Sequence, residues 1–215
     1  MPDQFEMRSM TEILLTGYEP FGEFESNPAS QLANRLDGTT VSDATVVGRE
    51  LPVVFDRVRP ALEAAIDDHD PDIVCGLGLA AGRNTLSLER VGINLRDTAG
   101  IPDNEARTVV DEPAVDDGPD AYFATLPLRA MKEAMLEAGV PTTLSTDAGT
   151  HACNNFLYAA RHLVETSDRE FSAGFVHVPM SHEQAAERDD GEPSLALEAM
   201  ADGLVAGLER AVAER

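Results

Sequence analysis

Tryptophan is absent, only two cysteines occur, and a single lysine, Lys132, stands beside 15 arginines. No apolar run approaches the roughly 20 residues that a helix needs to cross a bilayer, which excludes a membrane span. Residues 1–8 hold Asp3 and Glu6 and lack both a basic stretch and an apolar one. They do not read as a secretory signal, and a cytoplasmic location is expected. Cys75 and Cys153 form no Cys-x-x-Cys pair, so neither a disulfide framework nor a zinc site is indicated.

Positive charge is the scarcest commodity. Sixteen Lys+Arg against 39 Asp+Glu leave a formal net charge of −23. Such a surface repels nucleic-acid phosphates, so no nucleic-acid partner is expected. A disordered acidic chain is excluded because apolar residues recur periodically throughout. The composition reads as adaptation to molar salt, the halophilic pattern, because at about 1 M ionic strength the Debye length is only about 3 Å and self-repulsion is screened.

The apolar pattern alternates short strands with amphipathic helices. Ile13, Leu14 and Leu15 read as a first strand. Asn27-Pro28 then supplies an N-cap and a proline at the first helical position. Strands follow over residues 44–53 and at Ile73, Val74 and Cys75, with a helix between them through Val58, Leu62 and Ile66. Residues 96–119 show no period and are rich in Asp, Glu, Gly and Pro, which marks a long functional loop. A helix closed by Gly139, a strand over residues 142–146, a helix through Phe156 and Leu163, a strand over residues 173–178 and a last helix over residues 194–212 complete the chain. The expectation is an α/β fold with one domain over residues 10–215, a three-layer α/β/α sandwich around a twisted, largely parallel but mixed sheet. Residues 1–9 read as a flexible extension, and Met10 as an alternative start.

In open α/β sheets ligands gather beyond the carboxyl ends of the strands. Cys153 follows a strand and a loop of small residues and stands in the first turn of a helix. Free backbone N–H groups and the helix dipole favour an anion there, the thiolate that acts as nucleophile. The ordinary alternative is a buried, inert cysteine, the reading given to Cys75 in its apolar strand. His177 ends a strand just before Pro179, where it can face the same crevice as a base. Glu89 is a candidate partner for the second imidazole nitrogen, with Arg90 beside it; a surface ion pair between the two is the plainer alternative.

Taken together, these residues resemble the pyroglutamyl-peptidase I family, also called pyrrolidone-carboxylate peptidases. The matching blocks run from Leu15-Thr16-Gly17-Tyr18-Glu19-Pro20-Phe21-Gly22 through Gly78-Leu79-Ala80-Ala81-Gly82-Arg83 and Ser87-Leu88-Glu89-Arg90. They continue through Ile101-Pro102-Asp103-Asn104-Glu105 and Asp147 to Asn155, and end at Gly174-Phe175-Val176-His177-Val178-Pro179. The resemblance implies Cys153 as nucleophile, His177 as base and Glu89 as its orienting partner, with Tyr18, Phe21 and Arg90 at the substrate. It also implies removal of N-terminal 5-oxoproline from peptides, no cofactor, and a homo-oligomer, a tetramer by family habit. The chain departs from the family pattern at Tyr18, commonly phenylalanine, at Thr146 and Asp147, at His151, usually aromatic, at Met180, and at an inserted Gly100. A non-catalytic scaffold of the same fold, or a thiol hydrolase of another small cyclic amide, is the alternative function. The charge balance carries its own test: the melting temperature should be higher in molar KCl than in dilute buffer. Equal values in the two would exclude adaptation to salt.

Overall fold

The computed structural model describes residues 11–188 and 191–215, so the extension over residues 1–9 and the start at Met10 lie outside the described residues. The first half runs β1 (Thr11–Tyr18), α1 (Pro28–Leu36), β2 (Thr40–Val41), β3 (Ala44–Leu51), α2 (Phe55–His69), β4 (Ile73–Leu79), β5 (Leu86–Glu89) and β6 (Val91–Ile93). The second half runs β7 (Ala121–Phe123), α3 (Leu128–Glu137), β8 (Thr142–Ser145), α4 (Ala152–Thr166), β9 (Ser172–Val178), β10 (Met180–Ser181), α5 (His182–Ala186), β11 (Ser194–Leu195) and α6 (Leu197–Ala213).

Seven strands form the central sheet in the order β2-β3-β1-β4-β9-β5-β8. β3, β1, β4 and β9 are mutually parallel, whereas β5 runs antiparallel to β9 and parallel to β8, and the short β2 is antiparallel to β3. The sheet is therefore mixed and largely parallel. Its central strands are buried on both faces, which is why Ile13, Leu14 and Leu15 form a continuous apolar run instead of alternating with polar residues. Ile13, Leu15, Cys75 and Leu77 pack with α1, α3 and α6, while Leu14, Val74 and Phe175 pack with α2 and α4. This is the expected three-layer sandwich.

Local chemistry explains the boundaries. Asn27 accepts a hydrogen bond from Ala29 N at 3.0 Å, with Pro28 opening α1. Gly139, at φ +81°, follows the end of α3. The last helix begins at Leu197 and not near Ser194, because Ser194 and Leu195 pair with Met180 and Ser181. Helix α5 has no apolar period to announce it, yet Ser181 and Gln184 form a reciprocal capping box at its start. Among the described residues no helix is long and apolar enough to cross a membrane.

One constraint on the sheet bears on the site. A Cβ placed on Gly76 would lie 2.5 Å from both the Phe156 and Phe175 rings, so α4 packs directly onto the bare backbone of β4. Gly76→Ala should lower stability by about 1–3 kcal/mol through overpacking, read as a lower urea midpoint at unchanged slope. An unchanged midpoint would mean that α4 has room to move away from the sheet.

Candidate active site

The loop before α4 is built from short side-chain bonds. Asp147 Oδ1 accepts from Gly149 N at 2.9 Å, Asp147 N donates to Ser145 Oγ at 3.1 Å, and Thr150 exchanges bonds of 2.9 and 3.0 Å with the backbone of Asp97. His151 is the extended N-cap residue of α4, and no side chain caps the helix. Its first N–H groups therefore have no side-chain acceptor, and Cys153 sits among them, partly exposed. The helix is clamped next door: Asn154 bonds the backbone of Ile93 and Leu95, and Asn155 bonds Phe55 O. Beneath the thiol, a Cβ on Gly78 would fall 2.6 Å from Cys153 Sγ. Only a glycine at that place in β4 lets the sulfur reach the sheet.

His177 lies beside Gly78 in the parallel register of β4 and β9. Its Nδ1 is 2.7 Å from Glu89 Oε1, and the imidazole also feels the nearby Cys153 sulfur. The reversed direction of β5 explains how Glu89 gets there. Ser87 pairs with His177 and Glu89 with Phe175, so the carboxylate stands two residues further into the sheet, on the same face, at 0% exposure. Burial opposes charge on His177, but the Cys153 sulfur and Glu89 outweigh it and raise its pKa to about 9. Burial likewise disfavours the Glu89 carboxylate, yet His177, the nearby Ser145 hydroxyl and Arg83 hold it below the usual carboxylate range.

Beside the thiol is a small pocket walled by Tyr18, Phe21, Val53, Leu79 and His151. Tyr18 is buried, and its hydroxyl donates to Ala152 O at 2.7 Å. That bond supplies the partner that an added phenol oxygen needs, and burial, then the adjacent Cys153 sulfur, hold the phenol neutral. The His151 ring stacks on Phe21 at 6.5 Å and tilts against Phe55 at 4.7 Å. Its Nε2 meets Ile101 O at 3.1 Å, a carbonyl delivered by the turn from Thr98 to Ile101 in which Gly100 takes φ +87°. Because a carbonyl only accepts, Nε2 carries the proton. The departure at His151 is thus answered by a carbonyl from the turn that contains Gly100.

The aperiodic stretch 96–119 spans this region. Asn104 donates to Glu19 Oε1 at 2.8 Å and to Pro20 O at 2.9 Å, and its backbone N donates to Val53 O. Asp103 Oδ2 accepts from Phe55 N at the start of α2. Arg96 and Arg107 both pair with Asp56 and Glu112, fastening the loop to α2.

Arg90 is placed differently from its neighbour. It is exposed, does not line the pocket, and makes no ion pair with Glu89. The guanidinium at Glu89 is that of Arg83, from the glycine loop after β4, and neither periodicity nor spacing pointed to it. Cys75 is fully buried on the opposite face of the sheet, where burial alone pushes its pKa up to about 12. Met180 is also fully buried, and Thr146 is exposed.

A thiol, an imidazole and a carboxylate set in series beside an apolar pocket form an arrangement able to carry out acyl transfer, the chemistry of a thiol hydrolase. A family model described as pyroglutamyl peptidase matches residues 11–214. Pyrrolidone-carboxylate peptidase 2 of Photorhabdus laumondii is 42% identical over 206 residues, covering 96% of this chain and 94% of that one. The pyrrolidone-carboxylate peptidase of Thermococcus onnurineus is 44% identical over 187 residues, covering 87% of this chain and 92% of that one. The crystal structure of pyroglutamyl peptidase I from Bacillus amyloliquefaciens is similar with a TM-score of 0.90 at 35% identity, over 95% of this chain and 96% of that chain. A mutant pyrrolidone carboxyl peptidase from Pyrococcus furiosus gives 0.91 at 38%, over 95% and 99%. The chain belongs to the pyroglutamyl peptidase family, a family of hydrolases.

The site's electrostatics fix a sign. The folded value of His177, about 9, lies above the free imidazole value of about 6.5. The charged pair therefore stabilises the fold fully below pH about 6.5, and the contribution is lost as pH rises through the folded value. The His177 ring resonance should titrate near pH 9, and Glu89→Gln should move that titration to lower pH. Titration at an unchanged pH in the variant would show that the carboxylate does not hold the imidazolium.

Proposed function

We propose that the chain removes N-terminal pyroglutamate from peptides, with Cys153 as nucleophile, His177 as general acid and base, and Glu89 as the group that orients His177. The observation that carries this reading is the 2.7 Å bond between His177 Nδ1 and Glu89 Oε1 behind a thiol in the first turn of α4. The Cys153 thiolate adds to the carbonyl carbon that follows the lactam ring, and the oxyanion is received by backbone N–H groups near Cys153. Collapse of the adduct breaks the C–N bond while His177 gives its proton to the departing amine. Water, losing a proton to His177, then hydrolyses the thioester and frees 5-oxoproline.

The pocket supports the choice of acyl group. An N-terminal ammonium needs a carboxylate partner, and no carboxylate lines this pocket among the described residues. A neutral lactam suits walls built from Tyr18, Phe21, Val53 and Leu79. Arg90, being exposed, is proposed to act only at the outer edge of the substrate.

Finer points belong to the same reading. The enzyme works in a salt-rich cytoplasm, as the net charge of −23 supports. It assembles as a homo-oligomer, a tetramer by family resemblance. Support for assembly comes from one face of the β6–β7 ribbon, where Ile93 and Phe123 are exposed to 36% and 69%. Light scattering in high salt should give a mass well above 23.1 kDa, and a lone 23.1 kDa species would exclude assembly.

The decisive assay is release of a fluorophore from a pyroglutamyl amide in molar KCl under reducing conditions, beside the uncyclised glutamyl amide. Only the first should turn over. Iodoacetamide or Cys153→Ala should lower the rate by roughly 10⁴-fold or more, and Cys75→Ala should leave it nearly unchanged. Folded, reduced protein that turns over neither amide would support the scaffold instead. Turnover of other cyclic amides alone would reassign the substrate.

A further inference from the structure

The acid–base pair has a third member that the mechanism above does not use. Arg83 Nη1 donates to Glu89 Oε1 at 2.7 Å, the same oxygen that His177 Nδ1 approaches at 2.7 Å. The other terminal nitrogen, Nη2, donates to Asp147 O at 3.1 Å. Asp147 belongs to the loop that delivers Cys153. The guanidinium side chain is 32% exposed while Glu89 is 0% exposed, so Arg83 stands on the solvent side of a buried carboxylate. Its own backbone is fixed by a turn: Arg83 N donates to Ala80 O, Gly82 takes φ +85°, and Ala80 N donates to Val178 O, one residue beyond His177.

We propose that Arg83 is a positioning residue that shares Glu89 with His177 and ties it to the Asp147 carbonyl, so that the acid–base pair and the nucleophile loop are held as one unit. The inference rests on the roles given above to Cys153, His177 and Glu89. A guanidinium fits because its planar fork can direct two N–H groups to two fixed acceptors at once, which an ammonium on a flexible stem does less well. One nitrogen compensates a carboxylate that has lost its water. The second spans to a backbone oxygen six residues before Cys153.

Sharing also moderates the pair. A carboxylate divided between two cations pulls less strongly on either, and the guanidinium repels the imidazolium nearby. Removing Arg83 should therefore strengthen the grip of Glu89 on His177 and hold the imidazolium to higher pH. The ionisable groups facing the pair are Cys153 from α4, Glu89 itself from β5, Arg83 from the loop after β4, and Tyr18 from β1 behind the sulfur. Strand β8 adds the Ser145 hydroxyl, which does not ionise.

The test compares Arg83→Met and Arg83→Lys with the parent protein. Two readouts are taken: the pH dependence of Cys153 alkylation by iodoacetamide, and kcat and KM on a pyroglutamyl amide. In Arg83→Met the alkaline inflection of alkylation should move up by on the order of one pH unit, and kcat should fall by roughly tenfold to a hundredfold at little-changed KM. Arg83→Lys should return the inflection towards the parent value through its charge, while kcat stays low because one ammonium cannot hold both acceptors. An inflection that does not move in folded Arg83→Met overturns the proposal, as does recovery of full kcat by lysine. If Arg83→Met does not fold, Arg83→Gln, which keeps a donor without charge, carries the same test, and an unmoved inflection there overturns it equally. Alkylation requires no substrate, so failure of the peptidase reading would show separately, as a reactive parent thiol without turnover.

Discussion

The sulfur of Cys153 stands 2.6 Å from where a side chain on Gly78 would begin. Everything else at the site depends on this approach of the first turn of α4 to the backbone of β4. It sets the thiol level with His177 on the neighbouring strand, and it leaves the helix N-terminus open to the pocket. Gly76, one pleat earlier, permits the same closeness against Phe156 and Phe175. A helix resting on backbone has little freedom to shift, so the Cys153 sulfur keeps its place beside His177.

Much of the fold was legible because each local signal agreed with the global arrangement. Asn27-Pro28 opened a helix, Gly139 closed one, and the apolar runs around Ile13, Ile73 and Phe175 became strands buried on both faces. Less legible were elements too short to show a period. β7 lies at the border of a segment without hydrophobic rhythm, and β10 and β11 are two residues each. The reversal of β5 was hidden as well. Four residues flanked by loops say nothing of their direction, yet that direction brings Glu89 diagonally beneath His177.

Within the site, position along an element was readable and side-chain partnership was not. Cys153 and His177 were marked by the ends of a helix and a strand. Glu89 was marked by neither, and it competed with an ordinary surface pairing to Arg90. The actual partner, Arg83, is six residues away on a glycine turn, and only the turn's return across the sheet brings the two together. Tyr18 and His151 show the same limit. Each departs from the family pattern, and each finds a backbone carbonyl, Ala152 O and Ile101 O, supplied by a distant segment. Polar atoms in a low-dielectric wall persist because these acceptors are present.

The two cysteines face opposite layers of the sheet, one packed under α1, α3 and α6 and the other at the pocket. No other cysteine exists in the chain. Once an oxidant converts the Cys153 sulfur to a sulfenic acid, no second thiol within the chain can reach it to form a protective disulfide. Oxidative damage is then reversed by thiols from solution, and where these are scarce the sulfur advances to the sulfinic state, which they cannot reverse. The chemical state of this sulfur is in this way tied to the reducing capacity of its surroundings.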